Sequence, residues 1–172
     1  MAKTDPKIRF ERELVPHFES AYSLARWLTG NDADAADAFQ EAALRAFRFM
    51  DRANPENPRA WFFQIVRNSS YSWMKQRRNH IELKDAPEVA DGNESAERLL
   101  VKNVALKELR AAIQQLPAEY KEVLVLRELE EMSYAEISQI ASIPEGTVMS
   151  RLSRGRSQLR KILGGEGSSD ER

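Results

Sequence analysis

The sequence predicts an all-α protein made of two small helical bundles, and three observations support this prediction. Apolar side chains recur at steps of three or four residues along most of the 172-residue chain, which is the period of a helix with one buried face. Alternating β-branched runs between turn signals, which would indicate strands, are absent. An acidic stretch without a sustained apolar period divides the chain near its middle, so we expect one bundle on each side of it.

The first two helices are indicated by apolar residues on either side of Gly30. Gly suits the position just past a helix end, so the first helix is expected to stop there. A second helix can begin at Asn31 or Asp32, whose side chains accept hydrogen bonds from free backbone N–H groups. The apolar faces of the two helices are predicted to be Phe10, Leu14, Phe18, Tyr22, Ala25 and Leu28, and Ala36, Phe39, Ala43, Ala46, Phe47 and Met50.

The third helix is predicted to begin after Asn57, because Asn caps a helix and Pro58 fits its first turn. Its apolar residues are Trp61, Phe62, Ile65, Val66 and Trp73. The side away from Ile65 alternates large side chains with cations, namely Phe63, Arg67, Tyr71, Met74 and Arg78. Aromatic rings that stack on unpaired bases and cations that hold phosphates would explain this face. Packing against a neighbouring helix, or against the second bundle, would explain it as well.

The middle of the chain is predicted to be an extended linker. Residues 80–98 hold six acids and two bases, with Pro and Gly among them, and such a composition does not build a core. The last residues are Gly-rich and polar, so we expect them to be frayed. The predicted boundaries are 1–80 for the first domain, 81–99 for the linker, 100–163 for the second domain and 164–172 for a disordered tail.

The second domain contains the pattern of a helix-turn-helix. Two helices separated by Pro117 come first, marked by Leu106, Leu109, Ile113 and Leu116, and then by Tyr120, Val123 and Leu124. Ser133 and Glu136 have the spacing of a capping box, and the short helix that they start is broken at 142–144. A longer helix follows from Glu145. Two helices joined by such a short turn place the second one in the major groove of DNA.

The last helix has one apolar face and one face that suits DNA. The predicted core positions are Val148, Leu152, Gly155, Leu159 and Ile162. Opposite them lie Thr147, Ser150, Ser153, Arg154 and Ser157, with Arg151 and Lys161 on a flank. Short hydroxyl side chains let a helix backbone approach DNA, and Arg can fork onto guanine or a phosphate. An amphipathic helix whose basic end suits the helix dipole is the alternative interpretation.

The second helix of the first domain has an acidic first half. The acids are Asp32, Asp34, Asp37 and Glu41, with Gln40 beside them and Arg45 and Arg48 toward the end. Acids early and bases late suit the helix dipole. A surface that docks on another protein is the functional interpretation of the same residues.

The composition excludes several classes of protein. A net charge of −1 excludes a uniformly basic, histone-like protein. The absence of cysteine excludes a disulfide scaffold, a thiolate zinc site and a cysteine nucleophile. The N-terminus lacks the apolar stretch of a signal peptide, and no later stretch is long enough to span a bilayer. We therefore expect a cytoplasmic protein without membrane insertion.

Taken together, these segments resemble the extracytoplasmic-function (ECF) sigma factors, small two-domain initiation factors of bacterial RNA polymerase. The second domain is similar to region four of that family in LPAEYKEVL at 116–124, LREL at 126–129, SYAEI at 133–137 and IPEGTVMSRLSRGR at 143–156. The first domain resembles region two at 34–48, which includes FQE and LRAF, and at NPRAW, 57–61, followed by Ile65, Arg67 and Asn68. The similar segments lie within residues 10–80 and 100–163.

The resemblance implies a binding protein and not an enzyme, without a metal or any other cofactor. Its implied partners are core RNA polymerase, through the β′ clamp and the β flap, promoter DNA and an anti-sigma factor. The polymerase-binding residues would be Asp34, Asp37, Gln40 and Glu41. The residues at the −35 element would be Thr147, Ser150, Arg151, Ser153, Arg154 and Arg156. The residues at the −10 element would be Trp61, Arg67, Asn68, Tyr71, Lys75, Arg77 and Arg78, helped by a base-capturing loop at 51–60.

Three positions depart from the family pattern. Met149 stands where a basic residue is common, Ser153 where a larger one is frequent, and Ser142 where the turn often has Gly. Ser at that turn implies a modest strain. The alternative function is a stand-alone helix-turn-helix regulator of transcription. A nucleic-acid hydrolase built on the acids at 32–41 is less favoured, because those acids have no His partner or metal-binding loop.

Overall fold

The computed structural model describes residues 4–53, 55–83 and 104–164, and every regular element in these ranges is helical. This confirms the predicted all-α class. The first bundle contains α1 (Pro6–Glu13), a 3₁₀ turn (Val15–His17), α2 (Phe18–Thr29), α3 (Asp32–Phe49) and α4 (Pro58–Leu83). The second contains α5 (Val104–Gln115), α6 (Ala118–Leu124), a π-helical turn (Val125–Leu129), α7 (Tyr134–Ala141) and α8 (Glu145–Gly164).

The predicted linker and tail fall almost entirely outside the described residues. Helix α4 continues to Leu83, three residues past the expected end of the first domain, and the remaining linker positions are not among the described ones. Gly164 is the last residue of α8, and the tail beyond it is likewise outside the described ranges.

The prediction of one continuous first helix is wrong. Helix α1 ends at Glu13, and α2 begins only at Phe18. Pro16 lies between them in the 3₁₀ turn, and a proline has no backbone N–H to continue the α-helical ladder. The predicted stop at Gly30 is confirmed, since Gly30 has a φ of 86° and its N–H donates to the Arg26 carbonyl.

The predicted apolar face of α3 is rotated relative to the observed one. The residues that are buried are Ala35, Ala38, Ala42, Ala46 and Met50, whereas Ala36 and Phe47 are exposed. A line of alanines lets α3 approach α2 and α4 closely. The larger rings of α3 lie beside that line, where Phe39 packs on Phe18 and Phe47 on Phe10. The predicted cap is confirmed, because the Asn31 side chain accepts the Asp34 N–H.

The two bundles pack against each other, and their buried side chains form one cluster. Helix α4 contacts α7, and α2 contacts α6 and the π-helical turn. Phe63 is 0% exposed, so the interpretation of its ring as an exposed stacking platform is wrong. The alternative drawn from the same residues, packing against the second bundle, describes this face of α4.

The helix-turn-helix forms with the caps that the sequence indicates. Ser133 and Glu136 complete the capping box at the start of α7. Ser142 ends α7 in the left-handed conformation, with φ 55°, which is the position expected to cost modest strain. Val148, Leu152 and Gly155 of α8 are buried as predicted, whereas Ile162, which was also predicted to face the core, is exposed near the end of the helix. An added Cβ at Gly155 would lie 3.1 Å from the Leu124 Cδ1 and 3.2 Å from the Tyr120 Cβ, so glycine lets α8 approach α6.

Candidate nucleic-acid and polymerase interfaces

The outer face of α8 presents small hydroxyl side chains beside an exposed arginine. Ser150, Ser153 and Arg154 are exposed, and Thr147 is half-buried. The buried positions Val148 and Leu152 hold the helix from the other side. This arrangement matches the pattern of a recognition helix, whose outer residues contact base edges while its inner residues remain in the core.

Two other cations of α8 are paired with acids of the same domain. The Arg156 Nη2 lies 2.6 Å from the Glu128 Oε1, and its Nε lies 3.1 Å from the same oxygen. These hydrogen bonds raise the pKa of Arg156 and fix the direction of its guanidinium. The Arg151 side chain is 24% exposed and points toward α6, where its Nη2 is 3.8 Å from the Glu119 Oε2.

The residues predicted to contact the −10 element divide into exposed and covered ones. Asn68, Lys75 and Arg78 are exposed on α4, whereas Trp61 packs against the core and is only partly exposed. The remaining three, Arg67, Tyr71 and Arg77, are bonded to acids within the chain.

Arg67 and Tyr71 are both bonded to Glu122 of the second domain. The Arg67 Nε donates to the Glu122 Oε1 at 2.7 Å, and the Tyr71 hydroxyl donates to the Glu122 Oε2 at 2.8 Å. The Arg67 guanidinium also lies 4.5 Å from the centre of the Tyr71 ring. Burial, followed by the adjacent Glu122 carboxylate, raises the pKa of Tyr71 above its usual value, so the phenol stays protonated and acts as a donor.

Asp34 belongs to the interior and not to the acidic surface. It is 7% exposed, accepts hydrogen bonds from the Asn31 amide at 2.7 Å and the Trp73 indole at 3.1 Å, and forms an ion pair with Arg77. Burial acts to raise the pKa of this carboxyl, but the bonds from Asn31, Trp73 and Arg77 outweigh it and lower the pKa. Asp34 and Arg77 thus form one ion pair within the first domain, and their contacts with polymerase and DNA stay predictions.

The rest of the acidic face of α3 is exposed. Asp37, Gln40 and Glu41 all point to solvent. The Glu41 carboxylate is 3.1 Å from the Arg45 Nη2, one turn later on the same helix. Three of the four predicted polymerase-binding residues are thus available to a partner.

Further contacts between the domains were not predicted from the sequence. The Asn57 amide donates to the Glu136 Oε1 at 3.0 Å, and the Arg59 Nη2 donates to the Glu130 carbonyl at 2.7 Å. Asn57 also caps α4 through the Ala60 N–H. One sequence signal was present: Glu122 stands directly before the apolar run at 123–126, and a carboxylate that is buried there requires a cation.

Comparison with known proteins gives the same order of domains. The family model described as Sigma-70 region 2 matches residues 16–80, and the one described as Sigma-70, region 4 matches residues 106–159. No helix of the described residues is both long and apolar enough to cross a membrane.

Individual relatives align along most of the chain. The ECF RNA polymerase sigma factor SigE of Mycolicibacterium smegmatis is 35% identical over 88% of this chain, which spans 60% of the length of SigE. The ECF RNA polymerase sigma factor EcfG of Rhodopseudomonas palustris is 33% identical over 92% of this chain and 87% of its own length. The sigma factor RpoE of Bartonella quintana, solved in complex with the anti-sigma factor NepR, superposes with a TM-score of 0.75. It is 26% identical, over 91% of this chain and 98% of that one. With both regions matched in order and with relatives similar over nearly its whole length, the chain belongs to the extracytoplasmic-function family of RNA polymerase sigma factors.

Proposed function

We propose that this chain binds core RNA polymerase and directs it to specific promoters by recognising a −35 and a −10 element. The observation that carries the proposal is the outer face of α8. Ser150, Ser153 and Arg154 are exposed on a helix whose opposite side is locked into the core. A helix held in this way reads DNA without repacking its domain. Like other sigma factors, the chain would act in the cytoplasm by binding and not by catalysis.

Contact with the −10 element is assigned to α4 and to the segment at 51–60, whose last three residues form the start of that helix. Asn68 is exposed beside Arg67, whose Nη1 donates to the Asn68 Oδ1 at 3.1 Å. Lys75 and Arg78 continue the exposed side of the helix. Unpaired bases bind through side-chain hydrogen bonds and stacking, while cations hold the backbone, so this surface suits the melted strand.

The polymerase interface is assigned to the exposed acids of α3 and, in the second domain, to a contact with the β flap. Asp37, Gln40 and Glu41 lie on one side of α3, where they suit the family's docking helix for the β′ clamp. An anti-sigma factor is a further proposed partner. The support for it is the similarity to RpoE, which was solved with such a factor bound.

A stand-alone helix-turn-helix regulator is the alternative function. Such a protein needs only the second domain for DNA and has no use for a polymerase-docking helix. The match of residues 16–80 to Sigma-70 region 2 favours the initiation factor.

In-vitro transcription tests the proposal directly. Core polymerase from a bacterium is incubated with a promoter library, with and without the chain, and the transcripts are sequenced. We expect start sites that depend on the chain and share two upstream elements. Binding of the chain to duplex DNA without any core-dependent transcript would support the stand-alone regulator instead.

A further inference from the structure

Glu122 is a buried carboxylate whose two oxygens are bonded to the other domain. It is 1% exposed. Its Oε1 accepts from the Arg67 Nε at 2.7 Å, while its Oε2 accepts from the Arg67 Nη2 at 3.4 Å and from the Tyr71 hydroxyl at 2.8 Å. A planar guanidinium that offers two donors to two oxygens is the geometry with which Arg recognises carboxylates and phosphates.

The donors of this anion site belong to one helix, and the anion belongs to the other domain. Arg67 and Tyr71 are four residues apart on α4, so they share one face of it whatever the second domain does. Glu122 comes from α6. If the domains part, the two donors stay together, and only the carboxylate leaves.

The site is one end of a longer stripe on α4. Lys75 and Arg78 follow Arg67 and Tyr71 at steps of four and three residues, which keeps all four side chains on one side of the helix. Lys75 and Arg78 are exposed, while Arg67 and Tyr71 are only partly so. Three cations and a phenol in a line match the charge pattern that tracks a nucleic-acid backbone, and Glu122 covers two of the four positions.

The predicted recognition helix, α8, contributes a residue to the same site. A cleft of about 420 Å³ between the domains is lined by Arg67, Tyr71, Glu119, Glu122 and Arg151. Arg151 of α8 therefore faces acids of its own domain beside the anion site, and residues assigned to both DNA surfaces converge on the two glutamates.

We propose that Arg67 and Tyr71 form a phosphodiester-binding site on α4 which Glu122 fills when the domains are packed together, so that domain closure and DNA binding compete for the same donors. The inference rests on the proposed function. Glu122 acts in it as an internal substitute for a DNA phosphate, and the packed arrangement is autoinhibited until the domains separate.

Two substitutions distinguish this competition with DNA from an ion pair that only stabilises the fold. Glu122→Gln removes the competing charge and leaves the α4 donors intact, whereas Arg67→Gln removes the main donor and leaves the carboxylate. Both are expected to open the domains, because the loss of a charge-assisted bond shifts a closed–open equilibrium by about tenfold. Only Glu122→Gln is expected to bind DNA more tightly than the parent.

The measurements use the full chain. Because the sequence has no cysteine, Glu11→Cys and Glu108→Cys, both at exposed positions, give a labelled pair that reports domain separation by energy transfer. DNA affinity is measured by anisotropy with a short fluorescein-labelled single strand of mixed sequence at two salt concentrations. Phosphate contacts do not depend on sequence, so the promoter need not be known.

Glu19→Gln is the matched control, since it removes the same charge at an exposed position that does not line the cleft. We expect Glu122→Gln to lower energy transfer and raise DNA affinity about tenfold, and Glu19→Gln to change affinity much less. Arg67→Gln should lower energy transfer without any gain in affinity, and its salt slope should fall by about 0.7. If Glu122→Gln and Arg67→Gln bind DNA equally well, the anion site on α4 is refuted.

Two further measurements keep the outcome decisive. If Glu122→Gln unfolds by circular dichroism, the swap Arg67→Glu with Glu122→Arg restores the pair. It should then restore energy transfer while DNA affinity stays below that of the parent, and parental affinity in the swap would overturn the proposal. Transcription with core polymerase tests the proposed function separately from the competition between Glu122 and DNA. A parent chain that initiates transcription while its variants fail these expectations refutes only the competition, whereas a parent that never initiates refutes the proposed function.

Discussion

At the scale of single residues, charged side chains that are close in the sequence make different contacts in the structure. Arg154 follows from the wheel of α8 and Arg156 from the family resemblance. Both are exposed, yet Arg156 is bonded to Glu128 at 2.6 Å. A guanidinium that is free of internal acids can fork onto a base edge, whereas one already paired is held in a fixed direction.

Substitution of Arg154 tests base recognition. If Arg154 contacts a base edge, Arg154→Ala should cost about 1–3 kcal/mol of binding free energy and relax the preference at one or two promoter positions. Lys161 lies near the end of α8 and is exposed, so Lys161→Ala should weaken all sequences evenly and reduce the salt slope by about one ion. The measurement is holoenzyme binding to variants of the upstream element at two salt concentrations. Unchanged affinity, specificity and salt slope for Arg154→Ala would mean that this face of α8 does not contact DNA.

Asp34 and Asp37 show what the sequence could and could not indicate at this scale. Both acids lie in the first half of α3, three residues apart, and the helix dipole favours each of them. The structure buries Asp34 on Trp73 and Arg77 and exposes Asp37. The choice depends on where α4 crosses α3. That crossing is a tertiary property, so a one-helix wheel does not contain it.

The stability contribution of Asp34 should depend on pH. Its pKa in the folded chain is lowered from the ordinary value of 3.8, since hydrogen bonds from Asn31, Trp73 and Arg77 outweigh desolvation. A lowered folded pKa gives a contribution that is complete above the unfolded value and is lost as the pH falls through the folded one. Asp34→Asn should therefore reduce the free energy of unfolding by about 1–3 kcal/mol at neutral pH.

Urea unfolding of the parent and Asp34→Asn at neutral pH and below pH 3.8 measures that dependence. The difference between the two proteins should shrink in acid. Asp37→Asn, a change of the same charge on the same helix at an exposed position, should alter stability by less than about 0.5 kcal/mol. An equal loss for both variants would place Asp34 outside the internal pair.

At the scale of helices, caps and turns were predictable, whereas helix continuity and rotation were only partly so. Gly30, Asn31 and the Ser133–Glu136 capping box act locally, and all are found where the sequence places them. The apolar series continues past Pro16 and predicted one helix there. The helix is interrupted because Pro16 has no backbone N–H to donate. The buried face of α3 was predicted in the wrong orientation because most of its buried residues are alanines. A helical wheel that is oriented by the large apolar residues gives little weight to alanine.

The contact between α6 and α8 depends on Gly155. Gly155→Leu places a branched side chain where even a Cβ would lie 3.1 Å from Leu124, so we expect a loss of about 1–3 kcal/mol of unfolding free energy from overpacking. Gly146→Ala is the control, since nothing lies within 4 Å of that position, and alanine should stabilise the helix by up to about 1 kcal/mol. Thermal unfolding followed by circular dichroism measures both. A Gly155→Leu protein as stable as the parent would show that the helices separate there without cost.

At the scale of the whole molecule, the two bundles are joined by a shared core and a set of polar contacts. Buried residues of both domains belong to one cluster, and Asn57, Arg59, Arg67 and Tyr71 of the first domain are bonded to the second. The sequence indicated each bundle separately. It indicated packing against the second bundle only as one explanation of the α4 face and did not indicate which residues pair, because the two partners of each polar contact lie 47 to 79 residues apart.

Phe63 tests whether closure is a property of the packed core as well as of the polar contacts. It lies on α4 between Arg59 and Arg67, which both contact the second domain, and it is 0% exposed. Phe63→Ala should remove about 3–5 kcal/mol of packing energy. Since that packing is shared between the domains, we expect the domains of the variant to part before either one loses its helices. Energy transfer between the labels on the two domains and circular dichroism, recorded during the same thermal scan, should then give two separate midpoints, whereas the parent should give one.

Phe49→Ala provides the comparison for this prediction. Phe49 is an aromatic residue of the same first domain, but it is 47% exposed, so its loss should leave a single midpoint and a much smaller change in stability. A Phe63→Ala chain with coincident midpoints would mean that the domains unfold as one unit even without this ring. In that case the rest of the shared core and the polar contacts around Glu122 would be sufficient to hold the molecule closed.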